Sequence, residues 1–148
     1  YFQRSLFWAV YPGMFKAHAQ IGEAAYFENP QWYERDRHLF IKYIPLISRL
    51  DEAGWQPVPL AAVSPKAIRI ERYGDFTKGT LAFSLHNPAK TEQTAKLTLD
   101  ARQSKLAGAP QAREWIGGQA LSVRRTGGNF TLTLRLPAGG YGVVGIQR

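Results

Sequence analysis

The chain contains no cysteine, which excludes a disulfide framework and a thiolate metal site and leaves the redox compartment unassigned. Its three histidines, His18, His38 and His86, show no ligand spacing, so the sequence supports neither a metal site nor a cofactor. The glycine pairs Gly117-Gly118, Gly127-Gly128 and Gly139-Gly140 lack the strand-loop-helix context of a phosphate loop and are expected to form hairpin turns. No internal repeat or low-complexity tract is visible. Long hydrophobic runs are missing too. The apolar stretch over residues 1–15 is interrupted by Gln3, Arg4 and Ser5, is too short to span a bilayer, and carries no signal-peptide cleavage site. No membrane partner is expected. No initiator methionine precedes this stretch, and the protein is expected to start upstream of Tyr1.

What is present suits a packed domain. The 148 residues are 45% hydrophobic and 20% charged, as in ordinary globular chains. The net charge of +8 is uneven: residues 1–60 hold six basic and six acidic side chains, residues 61–148 thirteen and five. Aromatic residues divide the other way, with 13 of 19 in the first 60 positions. The shift falls at Pro57-Val58-Pro59-Leu60, where two prolines favour an extended connector. A boundary is expected there, separating residues 1–60 from 61–148.

The first part predicts one helix. Asn29 supplies an N-cap and Pro30 the first helical position; Leu39, Phe40, Tyr43, Ile44, Ile47 and Leu50 form a buried stripe. Gly54 is the expected stop, with Trp55 packing back, and Pro45 is expected to kink or split the helix near Arg37 to Ile41. Lys42 and Arg49 read as a solvated helix face. The second part changes to period two: Ile68/Ile70, Leu81/Phe83/Leu85, Ala95/Leu97/Leu99, Leu121/Val123 and Phe130/Leu132/Leu134/Leu136, then Tyr141 to Ile146. These predict five or six short strands and a closing one, with turns at Tyr73-Gly74-Asp75, Asn87-Pro88, Gly117-Gly118, Thr126 to Asn129 and Gly139-Gly140, the spacing of an antiparallel sandwich. Arg69, Lys96 and Arg135 fall on the alternate, solvated positions.

Function-bearing residue types gather inside the first part, between the opening apolar segment and the helix. The loop from Lys16 to Glu28 contains His18, Glu23, Tyr26 and Glu28, with Trp8 and Tyr11 before it and Trp32 after it. Aromatic faces can stack on the C–H faces of a sugar, and carboxylates or histidine can take its hydroxyls. Glu23 and Glu28 carry no spacing that makes them a catalytic pair. Asp36, between Arg35 and Arg37, reads as a local ion-pair residue tying the helix start to the loop.

Taken in order, Leu6 to Phe15, then Tyr26-Phe27-Glu28-Asn29-Pro30, Arg35 to Ile47 and Glu52 to Val58 resemble the end of a (β/α)8-barrel glycoside hydrolase. The stretches from Ile68 to Gly74 and from Tyr141 to Ile146 are similar to the β-sandwich that often follows such barrels. The resemblance implies terminal β/α elements of a TIM barrel followed by an antiparallel β-sandwich, α+β as a whole. Leu6 to Tyr11 would be the last barrel strand and Leu39 to Ala53 the closing helix. The loop to Glu28 would then lie on the functional face. It implies a carbohydrate substrate, catalytic carboxylates on upstream strands, and the rest of the parent chain as partner; a secreted or periplasmic parent fits. This chain alone is not expected to hydrolyse. Substrate-binding candidates are Trp8, Tyr11, His18, Tyr26 and Glu28.

Two other readings compete. One is a stand-alone carbohydrate-binding sandwich with Trp115 or Tyr141 as stacking platform, although Trp115 suits a core position better. The other is a basic module for nucleic acid or acidic polymer, disfavoured because no nucleic-acid module is recognisable. Periodicity also leaves the opening run open as a helix, with Leu6, Val10 and Met14 on one stripe.

Overall fold

Among the described residues, which in this computed structural model are 1–13, 26, 29–75, 77 and 79–147, the chain opens with a helix. This is α1 (Phe2–Trp8), not the barrel strand that the family resemblance implied for Leu6 to Tyr11. The reason is one-sided burial. Phe2 and Leu6 are one helical turn apart, and both enter a core shared with the second helix, while Phe7 is 2% exposed. Phe2, Leu6 and Phe7 of the opening apolar run are therefore covered by this chain's own elements. TIM-barrel elements are not evident among the described residues.

The second helix, α2 (Pro30–Ala53), starts as its caps dictate. Asn29 Oδ1 accepts the Gln31 N–H at 3.2 Å, and Pro30 occupies the first turn. At the far end the Gly54 N–H, at φ 81°, closes onto the Leu50 and Asp51 carbonyls. Pro45 does not split the helix. Ile41, which loses its hydrogen-bond partner at Pro45, and Pro45 itself face solvent, so the gap opens to water while Tyr43, Ile47 and Leu50 hold the other side in the core. Trp55 does not pack back on the helix. It is 56% exposed, starts the first strand, and its indole N–H donates to Glu71 Oε2 at 2.8 Å.

Ten strands follow: β1 (Trp55–Gln56), β2 (Ala61–Ser64), β3 (Arg69–Asp75), β4 (Thr80–His86), β5 (Gln93–Asp100), β6 (Gln111–Glu114), β7 (Ala120–Leu121), β8 (Arg124–Thr126), β9 (Asn129–Leu136) and β10 (Tyr141–Gln147). They form a six-stranded sheet, ordered β1-β3-β4-β10-β6-β7, and a four-stranded sheet, ordered β2-β5-β9-β8, with antiparallel pairing throughout. The architecture is thus α+β with two antiparallel sheets, compatible with a β-sandwich. The alternating residues of β5 and β9 meet Leu81, Phe83, Leu85, Val144 and Ile146 in the core between the sheets. Arg69, Lys96 and Arg135 are exposed, as the alternation requires.

The opposite face of the large sheet is also buried, beneath the helices. Tyr73, Ala82, Val143 and Trp115 pack there on Phe2, Leu6, Tyr43, Ile47 and Leu50, so this core draws residues from both sides of the 60/61 position. Burial on both faces explains why residues 81–85 and 142–146 are buried without alternation. Gly74 does not form a turn. It lies inside β3 opposite Leu81, where a Cβ would run into the Thr80 carbonyl, and the hairpin tip comes later, after Asp75 pairs with Thr80.

Polar and cation–π contacts also join the helices to the sheet. The Tyr73 and Ser84 hydroxyls both donate to the Phe7 carbonyl, at 2.7 and 2.8 Å. The Trp115 indole lies on Gly145, where a Cβ would overlap it, and the Arg49 guanidinium carbon sits 3.9 Å from the centre of the Trp115 ring. Arg49 is therefore more than a solvated helix position. Chemical denaturation should show Tyr73→Phe less stable by about 1–2 kcal/mol through the lost buried hydrogen bond. Gly145→Ala should cost about 1–3 kcal/mol, because the added methyl overpacks against Trp115.

Candidate functional site

At the C-terminal end of α1 the helical layer runs out and aromatic rings come to the surface. Helix α1 closes with Ala9 in the left-handed region, φ 49°, its N–H on the Leu6 carbonyl and the Val10 N–H on the Ser5 carbonyl. This turn leaves Trp8 47% exposed and Tyr11 49% exposed. Trp8 is braced from below by Phe7, edge to face at 4.8 Å. Phe7 also meets His86 at 6.0 Å and Tyr141 at 5.9 Å. The last two rings lie parallel, 4.2 Å apart with an 8° tilt.

Strand register builds this grouping. His86 pairs with Tyr141 on one side and with Arg69 on the other, so the three form a row across β3, β4 and β10 on the face that carries the helices. Burial, followed by the positive charge of Arg69, pushes the His86 pKa below its ordinary value and favours the neutral imidazole. An indole, a phenol and an imidazole thus gather around the buried Phe7 ring. Their chemistry is stacking and hydrogen bonding to polar, C–H-bearing rings.

The sequence candidates fare differently. Trp8 and Tyr11 are both at the surface, on either side of the turn at Ala9. Tyr26 precedes α2 by four residues, and its hydroxyl meets Asp36 Oδ2 at 2.7 Å and the Trp32 carbonyl at 3.3 Å. Asp36 is also gripped by Arg35 through two contacts of 2.8 Å, and these partners, Arg35 first, hold its pKa at about 2. Asp36 does tie the helix start to the preceding segment. His18, Glu23 and Glu28 lie outside the described residues. Trp115, the alternative platform, is 9% exposed beneath Arg49. Sequence reasoning missed His86 and Phe7. The only signal available was that His86 ends an alternating strand, and nothing local joins it to Trp8.

No protein-family model matches this chain, and no curated protein matches it. Among solved structures, it is similar to a GH27 β-L-arabinopyranosidase variant from Geobacillus stearothermophilus in complex with arabinose. The identity is 13% and the TM-score 0.43, over 56% of this chain and 18% of that one. The match thus spans less than a fifth of the arabinopyranosidase, a distant likeness too weak to carry a functional argument.

In an NMR titration His86 should have its midpoint below about 6.5, and Arg69→Ala should move that midpoint upward, because a repelling positive charge is removed. A midpoint indifferent to Arg69 would show that the row does not form in solution.

Proposed function

We propose that this chain is a carbohydrate-related accessory region of a glycoside hydrolase. In this reading residues 1–60 supply a helical layer and residues 61–148 the β-sandwich, and the reacting carboxylates belong to another part of the parent enzyme. The observation that carries it is the exposed Trp8 indole, braced on Phe7 beside the stacked His86 and Tyr141 rings. An exposed indole backed by a second ring offers a flat face on which the C–H face of a sugar ring can stack. Tyr11 extends the aromatic surface past the Ala9 turn. Tyr26, His18 and Glu28 remain proposed peripheral contacts, carried by the family resemblance.

Affinity electrophoresis against soluble plant and bacterial polysaccharides tests this reading. At least one glycan should retard the protein, Trp8→Ala should abolish the retardation, and Trp55→Ala, on an exposed indole elsewhere, should leave it intact. No retardation across the panel, or retardation indifferent to Trp8, refutes the proposal. Binding that ignores Trp8 but falls steeply with salt would instead assign the interaction to Lys96, Arg124 and Arg135 on the exposed face of the small sheet.

A further inference from the structure

Arg72 of β3 points away from the helices, toward the space between the sheets, and is only 8% exposed. Its Nη2 donates to Gln56 Oε1 at 3.3 Å, and its Nε–H has no partner among the described residues. The nearby acids are held by their own turns. Asp75 Oδ1 accepts the Thr77 N–H and hydroxyl at 2.7 and 2.6 Å, and Asp100 Oδ1 accepts the Arg102 and Gln103 N–H groups at 2.8 and 3.0 Å. Thr77 is the main cause of the lowered Asp75 pKa, with Arg72 the smallest contributor. The guanidinium is thus a nearly buried cation with a neutral amide as its direct partner, an arrangement that proteins rarely leave uncompensated.

The space beside it has a definite shape. A cavity of about 10 Å³ borders Arg72, Asp75, Ser104 and Phe83, and shares Pro59, Leu60 and Gln103 with an open groove of about 440 Å³ that Asp100 also lines. Leu60, at φ 52°, and Lys105, at φ 53°, flank this place; only Ala9 joins them as a non-glycine residue with positive φ among the described residues. Such backbone conformations concentrate where a binding surface needs them.

We propose that this end of the sandwich binds a small carboxylic acid, with one carboxylate oxygen reaching the Arg72 guanidinium and the body of the ligand lying in the groove over Pro59 and Leu60. A singly charged carboxylate fits better than a phosphate or sulfate, because the constriction admits a single oxygen-sized group, Asp75 and Asp100 at the site repel a dianion more strongly, and Val58, Pro59, Leu60, Ala61 and Ala62 form an apolar wall for the ligand body. Guanidinium and carboxylate are also matched in geometry. The site lies on the other side of the large sheet from Trp8 and does not depend on the saccharide reading there.

The test is an NMR amide titration with sodium acetate and sodium glucuronate, against sodium chloride at equal ionic strength. Saturable shifts near Leu60 and Ser104 with either carboxylate, and not with chloride, support the site; acetate alone identifies a simple acid, and tighter glucuronate binding an acidic sugar. Arg72→Lys keeps the charge but loses the planar fork, and should weaken binding at least about tenfold. Gln56→Glu, a nearly isosteric change, places a carboxylate on Arg72 from within, and should raise the melting temperature while suppressing binding. It decides the matter even if the Arg72 variant fails to fold. Equal shifts with chloride, or full carboxylate affinity in Gln56→Glu, overturn the proposal.

Discussion

The Phe7 carbonyl is the point on which the helical layer depends. A seven-residue helix does not hold itself together in water, and its last carbonyls have no intrahelical donors. In α1 the Ser5 and Leu6 carbonyls are closed by the turn at Ala9, while that of Phe7 is taken by Tyr73 and Ser84 from two neighbouring strands. The same bonds satisfy two hydroxyls that would otherwise be stranded against an apolar layer. Burial raises the Tyr73 pKa to about 12, so its hydroxyl remains a donor throughout the physiological range.

From this anchoring follows a large sheet with two covered faces. Its central strands cannot show polar alternation, and residues of minimal size occur where something must lie flat: Gly145 beneath the Trp115 indole is the clearest case, with Arg49 closing the stack from α2. The small sheet is covered on one face only and keeps its regular alternation. The aromatic surface at Trp8 is a by-product of the same layering. Where α1 stops, Phe7 packs on His86 and Tyr141 of the sheet row Arg69-His86-Tyr141, and Trp8, the last helical residue, is left exposed beside Phe7.

Legibility in the sequence tracked the range of the forces involved. The ends of α2 are set by Asn29, Pro30 and Gly54 through bonds spanning a few residues, and these were readable. So was the pairing of Asp36 with Arg35, and so were β5 and β9 of the small sheet, whose period of two reflects water on one side and core on the other. The helix at Phe2, the strand position of Gly74 and the role of Arg49 were not readable, because each is decided by an element distant in the chain. Part of the candidate site was accessible for the same reason: Trp8 and Tyr11 announce themselves as aromatic residues near a polar loop, whereas His86 and Tyr141 are paired by strand register and meet this segment only where Phe7 of α1 packs on them.

The sequence by itself determined an α+β chain, with a capped helix ahead of antiparallel strands and a basic excess carried by the strand half. Those properties arise from capping chemistry, backbone preferences and periodicity, which act within a few residues. Only the tertiary structure decided that Phe2 to Trp8 form a helix, that this helix helps cover the outer face of the large sheet, and that Arg72 is left nearly buried between the sheets. Those outcomes turn on which surfaces exclude water from each other, and water exclusion depends on partners that folding brings together from opposite ends of the chain.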